Sequence, residues 1–325
     1  MNAVDYDVHG VRVRVEDETG QVAGGLHRRL CGFPVLAAGP PDLRLRYVRT
    51  LAGAGVTAAK AGAGRTVYET PDGDVRYDPA DDVLSAAFGG VELHADLGAG
   101  TAVIASRAFT GRERYLAVHP LATVALIELL ERHGRFSLHA GCAAHEGRGV
   151  VIAGPSGAGK STLVLALIRA GLDHLSDDMV FLHPDADGVE ALGFSDAVGV
   201  TAATRERFPE VAAVAPTERE PGFPKHLVRI EEAFACRVAR RCRPVAVVFP
   251  EIVPGPDSAL EAMDPGEAWM RLVPDVLLTH PQSTQEHLGA LTALTEQVTC
   301  LRLEGGADVD RSARLITAML RASVD

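Results

Sequence analysis

The apolar run Val150-Val-Ile-Ala153 and the segment after it, Gly154-Pro155-Ser156-Gly157-Ala158-Gly159-Lys160-Ser161-Thr162, decide the fold of this chain. The segment fits G-x-x-x-x-G-K-[ST] and is followed by a helical pattern over residues 161–170 that Gly171 closes. Glycines let a backbone curl so that successive N–H groups point inward at phosphate oxygens. A helix N-terminus adds partial positive charge at the same place. Lys160 would bridge the β- and γ-phosphates of ATP, and the Ser161 hydroxyl would sit on Mg²⁺. The structural alternative is a glycine-rich strand-to-helix turn with a surface lysine.

Of 32 basic residues only Lys60, Lys160 and Lys225 are lysine. A lysine kept among so many arginines suits a need for a compact ammonium charge. The Gly/Ala tract over residues 52–64 imitates a phosphate loop in composition. Lys60, however, follows no glycine and precedes no Ser or Thr, so the tract reads as a loop.

Strand alternates with helix around the loop. Residues 121–133 form a helical pattern with Pro120 at the first turn and Gly134 past the end. Residues 136–145 and 149–153 read as two strands, 245–253 and 299–303 as two more. Helices are expected from Asp264-Pro-Gly-Glu267 toward residue 277, and over 282–297 and 309–322. That order implies a layered α/β domain over residues 116–325. Residues 1–115 instead carry period-two alternation, as in Val11-Arg-Val-Arg-Val15 and Leu43-Arg-Leu-Arg-Tyr47, with turns at Pro71-Asp-Gly-Asp74 and Gly98-Ala-Gly100. They read as a β-rich N-terminal domain, and 325 residues against a prior of about 150 per domain agree with two.

Composition narrows the partners. Against 43 acidic residues the net charge is −11, so no nucleic-acid footprint is present. No apolar run is long enough for a membrane span, and residues 1–18 are too polar for a signal peptide. Five scattered cysteines suit a reducing, cytoplasmic compartment. Cys236 and Cys242, lacking nearby partners, read as thiols and not as a zinc site. The oligomeric state stays open, self-association included.

One helix and a short turn beyond the loop comes His174-Leu-Ser-Asp177-Asp178-Met-Val-Phe-Leu182. Alone, Asp-Asp is commonly a solvated turn or a cap. Here it falls where a strand would return beside the loop's own strand. A metal-bound triphosphate needs a carboxylate on Mg²⁺, and hydroxyl phosphorylation needs a base for the acceptor. Upstream, Ser137-Leu-His139-Ala-Gly-Cys142 offers a histidine at a strand end, a place that structural hydrogen-bonding histidines also occupy. Lys225, in a Pro/Gly-bounded loop, is a candidate cation for the transferring group or a surface residue.

These residues resemble the HPr kinase/phosphorylase group, whose P-loop fold is shared with phosphoenolpyruvate carboxykinase. That group has a His-Gly-like strand, a G-x-S-G-x-G-K-S loop and an Asp-Asp pair after the next short strand. The match runs over residues 139–182. It implies a P-loop kinase core with Asp177 as base toward a seryl hydroxyl, Asp178 and Ser161 on Mg²⁺, Lys160 on phosphate and His139 supporting Asp177. Thr162 stands where the bacterial enzyme has Glu, and the downstream signature used in phosphorolysis has no counterpart. Phosphorylase activity is therefore not expected. The layout is closest to the shorter kinases of peptide natural-product clusters, including those that phosphorylate lasso precursor peptides. The expectation is an ATP- and Mg²⁺-dependent kinase acting on Ser or Thr of a peptide or protein. The alternatives are a kinase of small-molecule hydroxyls and a nucleotide-binding module that recruits a partner with little turnover.

Overall fold

Val11, Val13 and Val15 are buried while the arginines between them are not. That is the period-two pattern of a half-buried strand. The computed structural model describes residues 2–30, 32–56, 64–194, 197–214, 226–255, 257–306 and 308–322. The chain divides into two compact units. The first runs to Arg135 and takes back the segment Leu278–Thr284, and most of the chain from Phe136 onward forms the second.

The first unit carries β1 (Asn2–Val8), β2 (Val11–Asp17), α1 (Ala23–Leu30), β3 (Val35–Leu36), β4 (Leu43–Val48), β5 (Arg65–Thr70), β6 (Gly73–Asp78), β7 (Val83–Phe88), β8 (Val91–Asp96) and β9 (Thr101–Ala105). These strands make one mixed sheet in the order β3-β1-β2-β4-β9-β8-β7-β6-β5, with only the β2–β4 and β4–β9 pairs parallel. Both expected hairpins form, β5–β6 and β8–β9. Next come α2 (Arg112–Leu116), a π-helical turn over Ala117–Leu121, and α3 (Ala122–Glu131). The helix thus starts earlier than its periodicity suggested, with Pro120 inside it. The wider π turn absorbs the hydrogen bond that proline cannot donate.

The second unit is layered α/β. Its elements are β10 (Phe136–Leu138), β11 (Gly141–His145), β12 (Arg148–Ile152), α4 (Lys160–Arg169), β13 (Asp173–Ser176), β14 (Val180–Asp185), β15 (Gly188–Gly193), β16 (Ala197–Val200), α5 (Ala202–Arg207), α6 (Pro209–Ala213), β17 (His226–Arg229), α7 (Ile230–Ala233), β18 (Arg241–Ile252), β19 (Ala259–Ala262), α8 (Pro265–Leu272), α9 (Pro281–Gln297, its first turn in the first unit), β20 (Thr299–Gly305) and α10 (Val309–Ala322). The sheet order is β10-β14-β15-β18-β12-β11-β13, with β20 also beside β18. β12, β18 and β20 run parallel, so their C-terminal ends share one edge. Leu163, Val164 and Leu167 of α4 join Ile316 and Leu320 of α10 in one apolar cluster with Val150, Ile152 and Val248 of the sheet. Asp264 caps α8 as its spacing predicted, accepting from the N–H groups of Gly266 and Glu267 at 2.9 and 3.2 Å. No helix among the described residues is long and apolar enough to cross a membrane.

Two thiols meet in this sheet. Gly149 of β12 lies between Cys142 of β11 and Cys242 of β18, and a Cβ there would collide with the Cys242 sulfur. The missing side chain lets the two Sγ atoms approach to 3.7 Å as free cysteines.

Within the first unit a buried carboxylate makes stability depend on pH. Glu128 of α3 accepts from the Tyr68 hydroxyl at 2.6 Å and from the Thr279 hydroxyl. Burial, reinforced by neighbouring Glu131, pushes its pKa from 4.5 up to about 7. The folded state holds this proton more tightly than the unfolded chain. The stabilisation is therefore complete below pH 4.5 and is lost as pH rises through about 7. Glu128→Gln imitates the protonated side chain. Urea midpoints measured across this window are expected to fall with rising pH in the wild type and to fall less in the variant. At about pH 8 the variant should be the more stable protein. Parallel curves would contradict the assignment.

Candidate active site

The glycine-rich segment forms a loop between the C-terminal end of β12 and the first turn of α4. Gly154, Gly157 and Gly159 have φ of 136°, 87° and 92°, a region that side chains disfavour. Their placement in G-x-x-x-x-G-K-[ST] is thus a backbone requirement. Ala153 N–H donates to Val248 O at 3.0 Å, fixing the loop's start to the neighbouring parallel strand. Lys160 is only 8% exposed. Its Nζ donates to the carbonyl oxygens of Gly154 at 2.5 Å and Pro155 at 3.4 Å, so the ammonium is folded back beneath the loop. Ser161 and Thr162 follow on the first turn of α4, both partly exposed. Pro155 and Ser156 form the exposed tip.

The expected single strand over 136–145 is broken. β10 ends at Leu138 and β11 begins at Gly141, leaving His139 and Ala140 at the break. Leu138 pairs with Val180 of β14, which brings His139 to the same end of that strand pair as Asp178. His139 Nδ1 lies 3.5 Å from Asp178 Oδ1. The histidine therefore sits beside the second carboxylate, whereas the resemblance implied support of the first. His139 N–H donates to the backbone oxygen of Asp275 at 2.8 Å.

Asp177 and Asp178 occupy a bend between β13 and β14, tied by Met179 N–H donating to Ser176 Oγ at 3.3 Å. Asp177 is buried and Asp178 is exposed, so these neighbours face different surroundings. β13 does not lie directly beside the loop strand as expected, because β11 runs between them. The approach is made at Gly141 instead. A Cβ there would stand 2.6 Å from Val164 Cγ2 of α4 and 3.4 Å from the Asp177 carbonyl oxygen. The glycine lets the α4 face, the His139 break and the Asp pair close on one another.

A third acidic residue, marked by no motif, also reaches the site. Asp275, in the short turn after α8, has its carboxylate within the fields of Lys160 and His139 and takes a hydrogen bond from the Gly154 N–H. Burial pushes its pKa up, opposed by the fields of Lys160 and His139 and by that bond. Lys225 and the residues around it lie outside the described residues, as does Lys60. Among the described residues no group of three or more His, Cys, Asp or Glu side chains is placed to hold a metal ion.

No family model matches the chain, and no curated protein does. Among solved structures it is similar to the Hpr(Ser) kinase/phosphatase from Coxiella burnetii. The identity is 14%, the alignment covers 57% of this chain and 95% of that one, and the TM-score is 0.32.

The close approach at Gly141 is directly testable. Gly141→Ala forces a methyl group against the stiff Val164 side chain and is expected to cost about 1–3 kcal/mol, the usual range for overpacking. Denaturant unfolding at neutral pH measures it. A neutral effect would mean that α4 and the Asp177 backbone are not held together at this point.

Proposed function

We propose that the protein is a kinase that uses ATP and Mg²⁺ to phosphorylate a Ser or Thr hydroxyl of a peptide or protein. The observation that best supports this is a buried lysine inside a glycine-rich strand–helix loop whose helix meets, at Gly141, the bend that carries one buried and one exposed carboxylate. A loop of this kind binds phosphate, and the acidic pair gives it a reaction to perform.

In this scheme loop N–H groups and Lys160 hold the phosphates. Asp177 accepts the proton of the acceptor hydroxyl as its oxygen bonds to the γ-phosphorus and the bond from that phosphorus to the bridging oxygen breaks, releasing ADP. The Ser161 hydroxyl and the Asp178 carboxylate are hard oxygen donors suited to Mg²⁺, which takes its other ligands from phosphate and water. When bound, the ion would neutralise charge on the β- and γ-oxygens. His139 positions the Asp178 carboxylate. Asp275 adds negative charge near the phosphates and helps fix the loop's first N–H.

The division of labour between the carboxylates yields a test. The protein is incubated with ATP, Mg²⁺ and a library of Ser- and Thr-containing peptides, and phosphoryl gain is followed by mass spectrometry. Asp177→Asn should lower transfer by roughly 10²- to 10⁴-fold, the range for a lost general base, while nucleotide affinity persists. Asp178→Asn should raise the Mg²⁺ needed for half-maximal rate. Equal metal dependence in the two variants would contradict the assignment, and phosphoryl gain only on small-molecule hydroxyls would overturn the acceptor.

A further inference from the structure

Beside the glycine-rich loop lies a cleft of about 700 Å³, within the size range of small-molecule sites. All its walls belong to the second unit. They include Gly157, Ala158 and Gly159 of the loop, Thr162 of the first helical turn, the C-terminal ends of β18 and β20, α5 and the start of α10. Lys160, Asp177 and Asp178 are not among the lining residues.

The cleft therefore adjoins the glycine-rich loop without including the acidic pair. A triphosphate held by the loop would have room for its other end in the cleft, beside Thr162. The parallel strands β12, β18 and β20 all end here, the edge at which open α/β sheets place ligands.

The cleft also holds an apolar side chain with no burial of its own. Ile252, the last residue of β18, is 74% exposed. A Cβ on Gly159 would lie 4.0 Å from its Cδ1, so it stands at the edge of the phosphate loop. Its partner in register on β20 is Gly305, which brings no side chain into the adjoining space. An exposed isoleucine beside an open glycine offers a face for a flat ring. Polar groups are within the same walls. The Thr201 and Thr204 hydroxyls lie 3.0 Å apart. These suit sugar hydroxyls.

We infer that this cleft is the nucleoside subsite of the phosphoryl donor, with the base against Ile252 and the ribose among these polar groups. The inference rests on the kinase function proposed above, and the test separates the two. Calorimetry is run with Mg²⁺ plus ADP, and with Mg²⁺ plus inorganic tripolyphosphate, on the wild type, Ile252→Ser and Gly305→Val. Both variants are uncharged, and Ile252 is too exposed to matter for folding. Thermal melting of Gly305→Val confirms that its fold is intact.

Each variant should weaken ADP binding by about tenfold or more while tripolyphosphate binding stays within about twofold of wild type. Wild-type affinity for ADP in both variants, or tripolyphosphate bound as tightly as ADP by the wild type, overturns the subsite and leaves the phosphate loop standing. A wild type that binds neither ligand overturns the proposed function and the subsite with it.

Discussion

The second unit is organised around a buried ammonium group. Lys160 sits in the first turn of a helix, nearly without solvent, and its charge is met by carbonyl oxygens of its own loop. Burying a charge is costly unless other groups replace the lost water. Here the replacement requires a backbone that doubles back on itself, and three glycines at positive φ supply that path. The parallel pair β12–β18 fixes where the loop starts, and the α4–α10 layer fixes where the helix points.

Close backbone approaches carry that constraint outward. Gly141 lets α4 and the Asp177 bend meet, and Gly193 of β15 packs against the Leu175 carbonyl of β13, where a Cβ would collide. Gly149 leaves the gap in which Cys142 and Cys242 touch. None of these glycines belongs to the phosphate-loop pattern, yet Gly141 and Gly193 press on the strand β13 and the Asp177 bend that follows it. The acidic pair is thus placed by packing across three strands, and burial then divides it into one sheltered and one solvated carboxylate.

Local features were legible in the sequence. The loop, its helix, the hairpins around residues 71–74 and 98–100 and the Asp264 cap are all written in stretches of a few residues, where glycine, proline and periodicity act directly. What was not legible depends on contacts far apart in the chain. The break at His139 comes from pairing with β14 and from the Asp275 carbonyl, neither of which periodicity reports. Asp275 itself enters the site from more than a hundred residues beyond the loop, in a turn with no motif. The position of β11 between β13 and β12 is a matter of sheet order, which alternation along one strand cannot encode. The short elements β15, β16 and α5 were missed because their apolar runs are brief and interrupted.

If Lys160 is buried in order to meet a phosphate anion, removing it must weaken nucleotide binding. The most direct measurement is the affinity of the intact protein for ADP with Mg²⁺, compared between wild type and Lys160→Ala by calorimetry, with circular dichroism to confirm an unchanged fold. Loss of the charge-assisted bonds should weaken binding by at least about tenfold. Equal affinity in the two proteins would mean that Lys160 serves only the fold of its own loop.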